Sequence, residues 1–388
     1  VSEGPLRREA LNAAACGAMS AFGIVMALLG ATLTSLAQDL GVTLTGAGVF
    51  YIWMNGAMLV SSLALGRLMD RAGLKLPLTA GALLVAAALL LLIGARAASD
   101  LPLAALCLGL GGSALNGGSN TLVADLWDDP AAKASRLNTL GLFFGIGALL
   151  LPLLGSFRAD SLGWRVSLGI AAGVCVALAL AAIALRFPPA KIRTASPGPS
   201  PLSFLREPPV LLLGAMLCLE SANEFTLGGF ITSLLTREKG FDAGRASMAL
   251  TGFWAAVMAG RVAVSRLVLK YERTRVLAGC AALASFAVLA AASVDGAEAA
   301  AAVVLLGAAA AGVYPTALGL AGARYPAASG TVFGLLFTMA LCGGMTMPYA
   351  VGRVAEASSL SNALLLPAAA FAVIALLAFP LRRALARS

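Results

Sequence analysis

Gly66-Arg67-Leu68-Met69-Asp70-Arg71-Ala72-Gly73-Leu74-Lys75 is a charged decapeptide between two long apolar runs, Leu44–Leu65 and Leu76–Ile93. Each run approximates the roughly 20 apolar residues that a helix needs to cross a ~30 Å hydrocarbon core. The decapeptide therefore reads as a short polar connection between two membrane spans, with Gly73 free to make the turn. Working outward, the same alternation recurs along the whole chain. Before the midpoint the apolar stretches are Leu11–Leu36, Leu44–Leu65, Leu76–Ile93, Leu101–Leu126, Leu137–Phe157 and Val166–Phe187. After it they are Val210–Leu235, Ala246–Leu269, Val276–Ala292, Ala299–Ala321, Thr331–Val351 and Ala363–Leu381. Runs this long and this uniform suit helices and not the alternating strands of a barrel. The first is too long for a signal peptide and has no small-residue cleavage site followed by a soluble domain, so it is expected to remain as span one.

Composition agrees. Of 388 residues, 60% are hydrophobic and 12% charged, with mean hydropathy +0.92; a soluble domain has about 25% charged residues. That deficit excludes an ordinary soluble enzyme, a disordered chain and a nucleic-acid-binding module, despite the net charge of +9. The basic residues sort by side of the membrane. With the N-terminus inside, only Arg96, Arg158, Arg165, Arg237, Lys239, Arg245 and Arg353 of the 27 Lys and Arg fall outside. An excess of cytoplasmic Lys and Arg sets orientation, so both termini are expected in the cytoplasm and the protein in the inner (plasma) membrane. There is no histidine, and the six cysteines are scattered through the spans without metal or disulfide spacing. No nucleophile–base pair stands out, so the sequence points away from an enzyme, a metal site or a bound cofactor.

Pro188, Pro189, Pro197, Pro199, Pro201, Pro208 and Pro209 crowd the middle of the chain. That segment cannot continue a helix. It reads as a cytoplasmic linker over 188–207, dividing a six-helix half (1–187) from a second one (208–388). The halves match weakly at an offset near 194: Gly66-Arg67 with Gly260-Arg261, and Ala134-Ser135 with Ala328-Ser329. A parallel duplication of six spans implies a substrate site near the midplane and alternating access by rocking of the halves. With both halves in one chain, a monomer should suffice.

The decapeptide resembles the signature loop of the major facilitator superfamily, Gly-x-Leu-x-Asp-Arg-x-Gly-Arg/Lys-Arg/Lys, with Leu74 in place of a base. The resemblance implies an all-α polytopic protein with twelve transmembrane helices in two six-helix halves. It also implies a gating role on the cytoplasmic side for Gly66, Asp70, Arg71 and Gly73. Within the superfamily, Arg136 to Gly155 and Glu224-Phe-Thr-Leu-Gly-Gly-Phe230 resemble the fifth and seventh spans of the fucose/glucose–proton symporters and their bypass-of-stop-codon relatives. That likeness implies uptake of a sugar-like solute with protons. One departure is plain: the span-four glutamate of fucose-type symporters is replaced here by Asn116.

An acid inside a membrane is rare and marks function by default. Glu220 lies about 16 Å along span seven, near the midplane, and Glu224 one turn further on the same face. Two carboxylates so placed cannot both ionise cheaply, so the pair is the candidate proton-coupling site, against the alternative of a protonated pair that only specifies packing. Arg261, two-thirds through span eight, is expected to snorkel to the cytoplasm, with contact to the substrate or a gate as the alternative. Candidate substrate contacts at the same depth are Trp53, Asn55, Asn116, Asn120, Asn223, Trp254 and Tyr314. Amides bond hydroxyl groups and aromatic rings stack on sugar faces, although helix packing would explain the same residue types. The expected function is a secondary active transporter of a small polar solute, sugar-like and proton-coupled. The alternative is a drug/proton antiporter exporting amphipathic compounds. The expected partners are a small-molecule substrate, protons and the lipid bilayer.

Overall fold

The computed structural model describes residues 5–127, 129–157, 163–189 and 201–386; most of the linker expected over 188–207 lies outside them. Twelve helices are long and apolar enough to cross a membrane, and among the described residues there is no strand. Spans one to six are Pro5–Leu40, Leu44–Ala72, Lys75–Gly94, Leu101–Leu126, Pro130–Phe157 and Trp164–Ala184. Spans seven to nine are Pro208–Glu238, Ala243–Lys270 and Arg273–Ser293. Span ten is two helices, Gly296–Ala310 and Val313–Arg324, and spans eleven and twelve are Ser329–Ala357 and Leu365–Ala386.

Two features differ from the pattern of apolar runs. Span two continues as helix through most of the charged decapeptide, and the chain reverses only at Gly73, whose φ is 75°. The Gly73 amide still donates to the Met69 carbonyl at 3.0 Å, so helical bonding runs up to the turn. Span ten, expected as one run, breaks at Ala311-Gly312. Pro315 is the cause: it has no N–H for the Ala311 carbonyl, and its ring crowds that oxygen. The second helix restarts with the Thr316 amide bonded to the Gly312 carbonyl at 3.2 Å.

The chain forms two compact units, residues 1–41 with 53–194 and residues 42–52 with 195–388. Each is built on close approaches at glycine. In the first, Gly147 of span five lies against the Ser20 backbone of span one, and Gly109 of span four against the Met54 carbonyl of span two. In the second, Gly343 of span eleven meets the Cys218 carbonyl of span seven, and Gly307 of span ten the Phe253 carbonyl of span eight. The same helix pairs approach through the same residue type in both units, as a duplicated ancestor would leave them. Between lipid-exposed helices there is no hydrophobic driving force, so such backbone proximity and its dispersion contacts supply the cohesion.

Polar locks sit at the helix ends. Arg7 donates from Nε and Nη2 to the Arg186 carbonyl at 3.0 and 2.8 Å, and Lys75 Nζ to the Ile183 and Leu185 carbonyls at 2.5 and 3.1 Å. Both cations thus satisfy the carbonyl end of span six, where the helix dipole is negative. At its other end Asp39 accepts from Trp164 Nε1 at 2.8 Å and Arg165 Nη1 at 2.7 Å. In the second unit the Glu356 carboxylate takes the Thr45 amide and hydroxyl at 2.8 and 2.6 Å, which caps the start of span two. Glu238 does the same for Leu360 and Ser361 before span twelve. Tyr325, just beyond span ten, donates to Glu207 at 2.6 Å; burial and that carboxylate together raise the phenol above its ordinary value.

A methyl added at Gly147 or Gly343 meets backbone that cannot yield, so Gly147→Ala and Gly343→Ala should each cost about 1–3 kcal/mol. Gly334→Ala, with nothing within 4 Å of the added carbon, should stay within about 0.5 kcal/mol of wild type or gain slightly from helix propensity. Thermal melting of the three variants in detergent checks the ordering.

Candidate functional site

The charged residues at depth gather in the second unit. Glu220 is 4% exposed and Asn223 0%, whereas Glu224, one turn further along, keeps part of its surface. Glu220 Oε2 and both side-chain atoms of Asn223 have no hydrogen-bond partner among the described residues. Buried polar atoms are bonded in the great majority of cases. Three orphaned atoms within one turn of helix therefore mark a place where a polar guest can be received.

Arg261 does not behave as the snorkelling cation the sequence suggested. It acts electrostatically on Glu220, Glu224 and Tyr314 and is only partly exposed. The geometry of the helices explains this. Glu220 is twelve residues, about 18 Å, into span seven, Arg261 nine residues or about 14 Å from the end of span eight, and Tyr314 ten residues or about 15 Å from the end of span ten. All three reach one level from the same side. The signal in the sequence was a basic residue near the depth of Glu220, with a second acid, Glu224, one turn further along the same span.

Aromatic rings line the neighbourhood. Trp254 is 1% exposed; its ring lies 3.3 Å from where a Gly228 side chain would begin, and it packs edge-on to Phe253 with centroids 5.3 Å apart. Tyr51 meets Phe225 edge-on at 5.4 Å and rests its hydroxyl on Gly229. Tyr314 stacks on Phe337 at 6.4 Å, beside the break in span ten. Phe225 and the break itself were not foreseen; Pro315 carried the signal for the break. The Cys280 thiol of span nine also acts electrostatically with Glu220.

The remaining candidates lie in the first unit. Asn120 Nδ2 donates to the Asn116 side-chain and main-chain oxygens at 3.0 and 2.9 Å. The two amides thus form one partly exposed patch on span four. Asn55 is fully buried and Trp53 is 45% exposed. In the charged decapeptide Gly66 and Arg71 are exposed, Asp70 half-buried and Gly73 buried.

The sequence profile of the Major Facilitator Superfamily matches residues 13–222 and 213–387. The chain belongs to that superfamily. Solved structures share the fold across nearly the whole length. A mutant of the nucleoside transporter NupG superposes with a TM-score of 0.79 at 15% identity, covering 97% of this chain and 99% of that one. A bacterial homolog to the human lysosomal transporter Spinster, inward-facing and occupied, gives 0.79 at 13% identity, covering 98% of each. A mutant of the E. coli fucose:proton symporter FucP gives 0.66 at 20% identity, covering 95% of this chain and 98% of that one. A search of curated proteins finds no match. The protein is an integral membrane transporter for a small molecule and not an enzyme.

Asn223 gives a direct test of whether the orphaned polar atoms serve a guest. Asn223→Val removes two unsatisfied buried atoms, so the melting temperature should hold or rise. Solute flux into proteoliposomes should nevertheless fall at least tenfold. A parallel loss of stability and flux would assign the residue to packing.

Proposed function

We propose that the protein is a proton-coupled symporter that moves a small polar, sugar-like solute by alternating access, with Glu220 and Glu224 as the proton-carrying pair. The observation that carries this reading is the carboxylate pair one turn apart, Glu220 buried and Glu224 partly so, charge-coupled to Arg261 and beside the orphaned Asn223 amide. A proton exchanged at such a pair changes the charge balance of the cluster, and only a charge change can tie solute binding to the proton gradient. Trp254 and Tyr314, with Asn223, supply the flat faces and amide bonds that hydroxylated solutes use. In the first unit, Asn116, Asn120, Asn55 and Trp53 remain candidate substrate contacts. The decapeptide residues Gly66, Asp70, Arg71 and Gly73 act as a gate element on the cytoplasmic side, and both termini are cytoplasmic. Support comes also from the solved relatives, since one is titled a fucose:proton symporter and another a nucleoside transporter.

The experiment is uptake of a sugar panel into proteoliposomes under an inward proton gradient, for wild type, Glu220→Gln and Glu224→Gln. Gradient-driven accumulation should drop at least tenfold in one or both variants, while counterflow of preloaded solute continues. Accumulation equal to wild type in both variants sinks the coupling role. Extrusion of a lipophilic cation, with no sugar moving, would establish the drug/proton antiporter instead.

A further inference from the structure

The composition of the buried cluster constrains the charge of the cargo. A guanidinium stays protonated at any physiological pH, so the Arg261 charge must be balanced in every state that closes around it. The groups facing the glutamate pair are Arg261 from span eight, Cys280 from span nine and Tyr314 from span ten, with Tyr51 of span two packed on span seven at Phe225 and Gly229. Cysteine and tyrosine side chains are neutral near pH 7 in ordinary surroundings. The balance is therefore set by one arginine and two carboxyl groups. With one carboxylate ionised and the other protonated, the empty cluster is neutral.

Three kinds of cargo can be compared on that footing. A neutral solute entering with one proton leaves both carboxyls protonated and Arg261 without a counter-charge at membrane depth, which is costly. A cation replacing the proton restores neutrality only by ionising both glutamates, one turn apart and repelling each other. It would do so where Glu220 Oε2 has no donor. A monocarboxylate entering with one proton avoids both penalties: the proton forms an O–H bond on the ionised glutamate, and the cargo carboxylate takes over the guanidinium. The planar fork of arginine suits that replacement, since it bonds any carboxylate in the same bidentate way. Asn223 offers its two unpartnered atoms to a neighbouring hydroxyl on the cargo.

We propose that Arg261, with Glu220, Glu224 and Asn223, forms a carboxylate-selecting site, so that the cargo is a hydroxylated monocarboxylate carried electroneutrally with one proton. This rests on the proton-symport reading and narrows its solute from a sugar to an acid of that kind.

Matched pairs test it: galacturonate with galactose, gluconate with sorbitol, and lactate with propane-1,2-diol. Each is offered to proteoliposomes under an inward proton gradient, with the membrane potential set separately by potassium and valinomycin. At least one acid should accumulate tenfold or more above its neutral counterpart, with a rate unchanged by the imposed potential. Arg261→Gln should lose that accumulation at least tenfold, while Arg261→Lys, which keeps the charge, retains part of it; thermal melting confirms that both variants are folded. Accumulation of a neutral member that responds to the potential overturns the carboxylate site and leaves proton symport standing. So does acid accumulation undiminished in a folded Arg261→Gln. No gradient-driven accumulation of any member overturns both readings.

Discussion

A chain crossing hydrocarbon must satisfy every peptide N–H and C=O from within, because no water is there to accept or donate. Twelve helices answer that demand for the interior of each span, and the polar residues are then drawn to what remains. Arg7 and Lys75 cover the carbonyl end of span six, and Glu356 and Glu238 cover amide ends before spans two and twelve. The break in span ten is the exception that a proline imposes, and it falls beside Tyr314 at the level of the charged cluster. Irregular backbone at membrane depth is tolerated where it is buried in protein or lines a cavity, which is the setting of this one.

Glycine governs how close the helices come. Gly147 and Gly343 let spans five and eleven touch the backbone of spans one and seven, and Gly109 and Gly307 do the same for spans four and ten. The correspondence makes the duplication visible in packing even where side chains have diverged. The two units share their close contacts, but among the described residues Glu220, Glu224 and Arg261 belong to the second.

In that cluster the bonds left unmade matter as much as those made. Arg261 is held by opposite charge on the adjoining helix, and Glu220 and Asn223 keep polar atoms without partners in a place where each costs stability. Polar atoms left unbonded inside a helix bundle are the kind of cost that a binding site accepts.

The sequence by itself determined that this is a twelve-span helical membrane protein of the major facilitator type, because apolar length, basic-residue placement and the Gly66–Lys75 decapeptide are all local signals. It also exposed Glu220, Glu224 and Asn223 as polar residues at depth, since position along a helix converts directly into height. Only the tertiary structure decided that Arg261 turns to those acids, that the chain breaks before Tyr314, and that Asn116 and Asn120 bond to each other. Helical periodicity gives the height of a side chain and its face, but which helix that face meets depends on contacts far apart in the chain. A charge near the end of a span can as readily snorkel as pair, and the position of its counter-charge on another helix settles which.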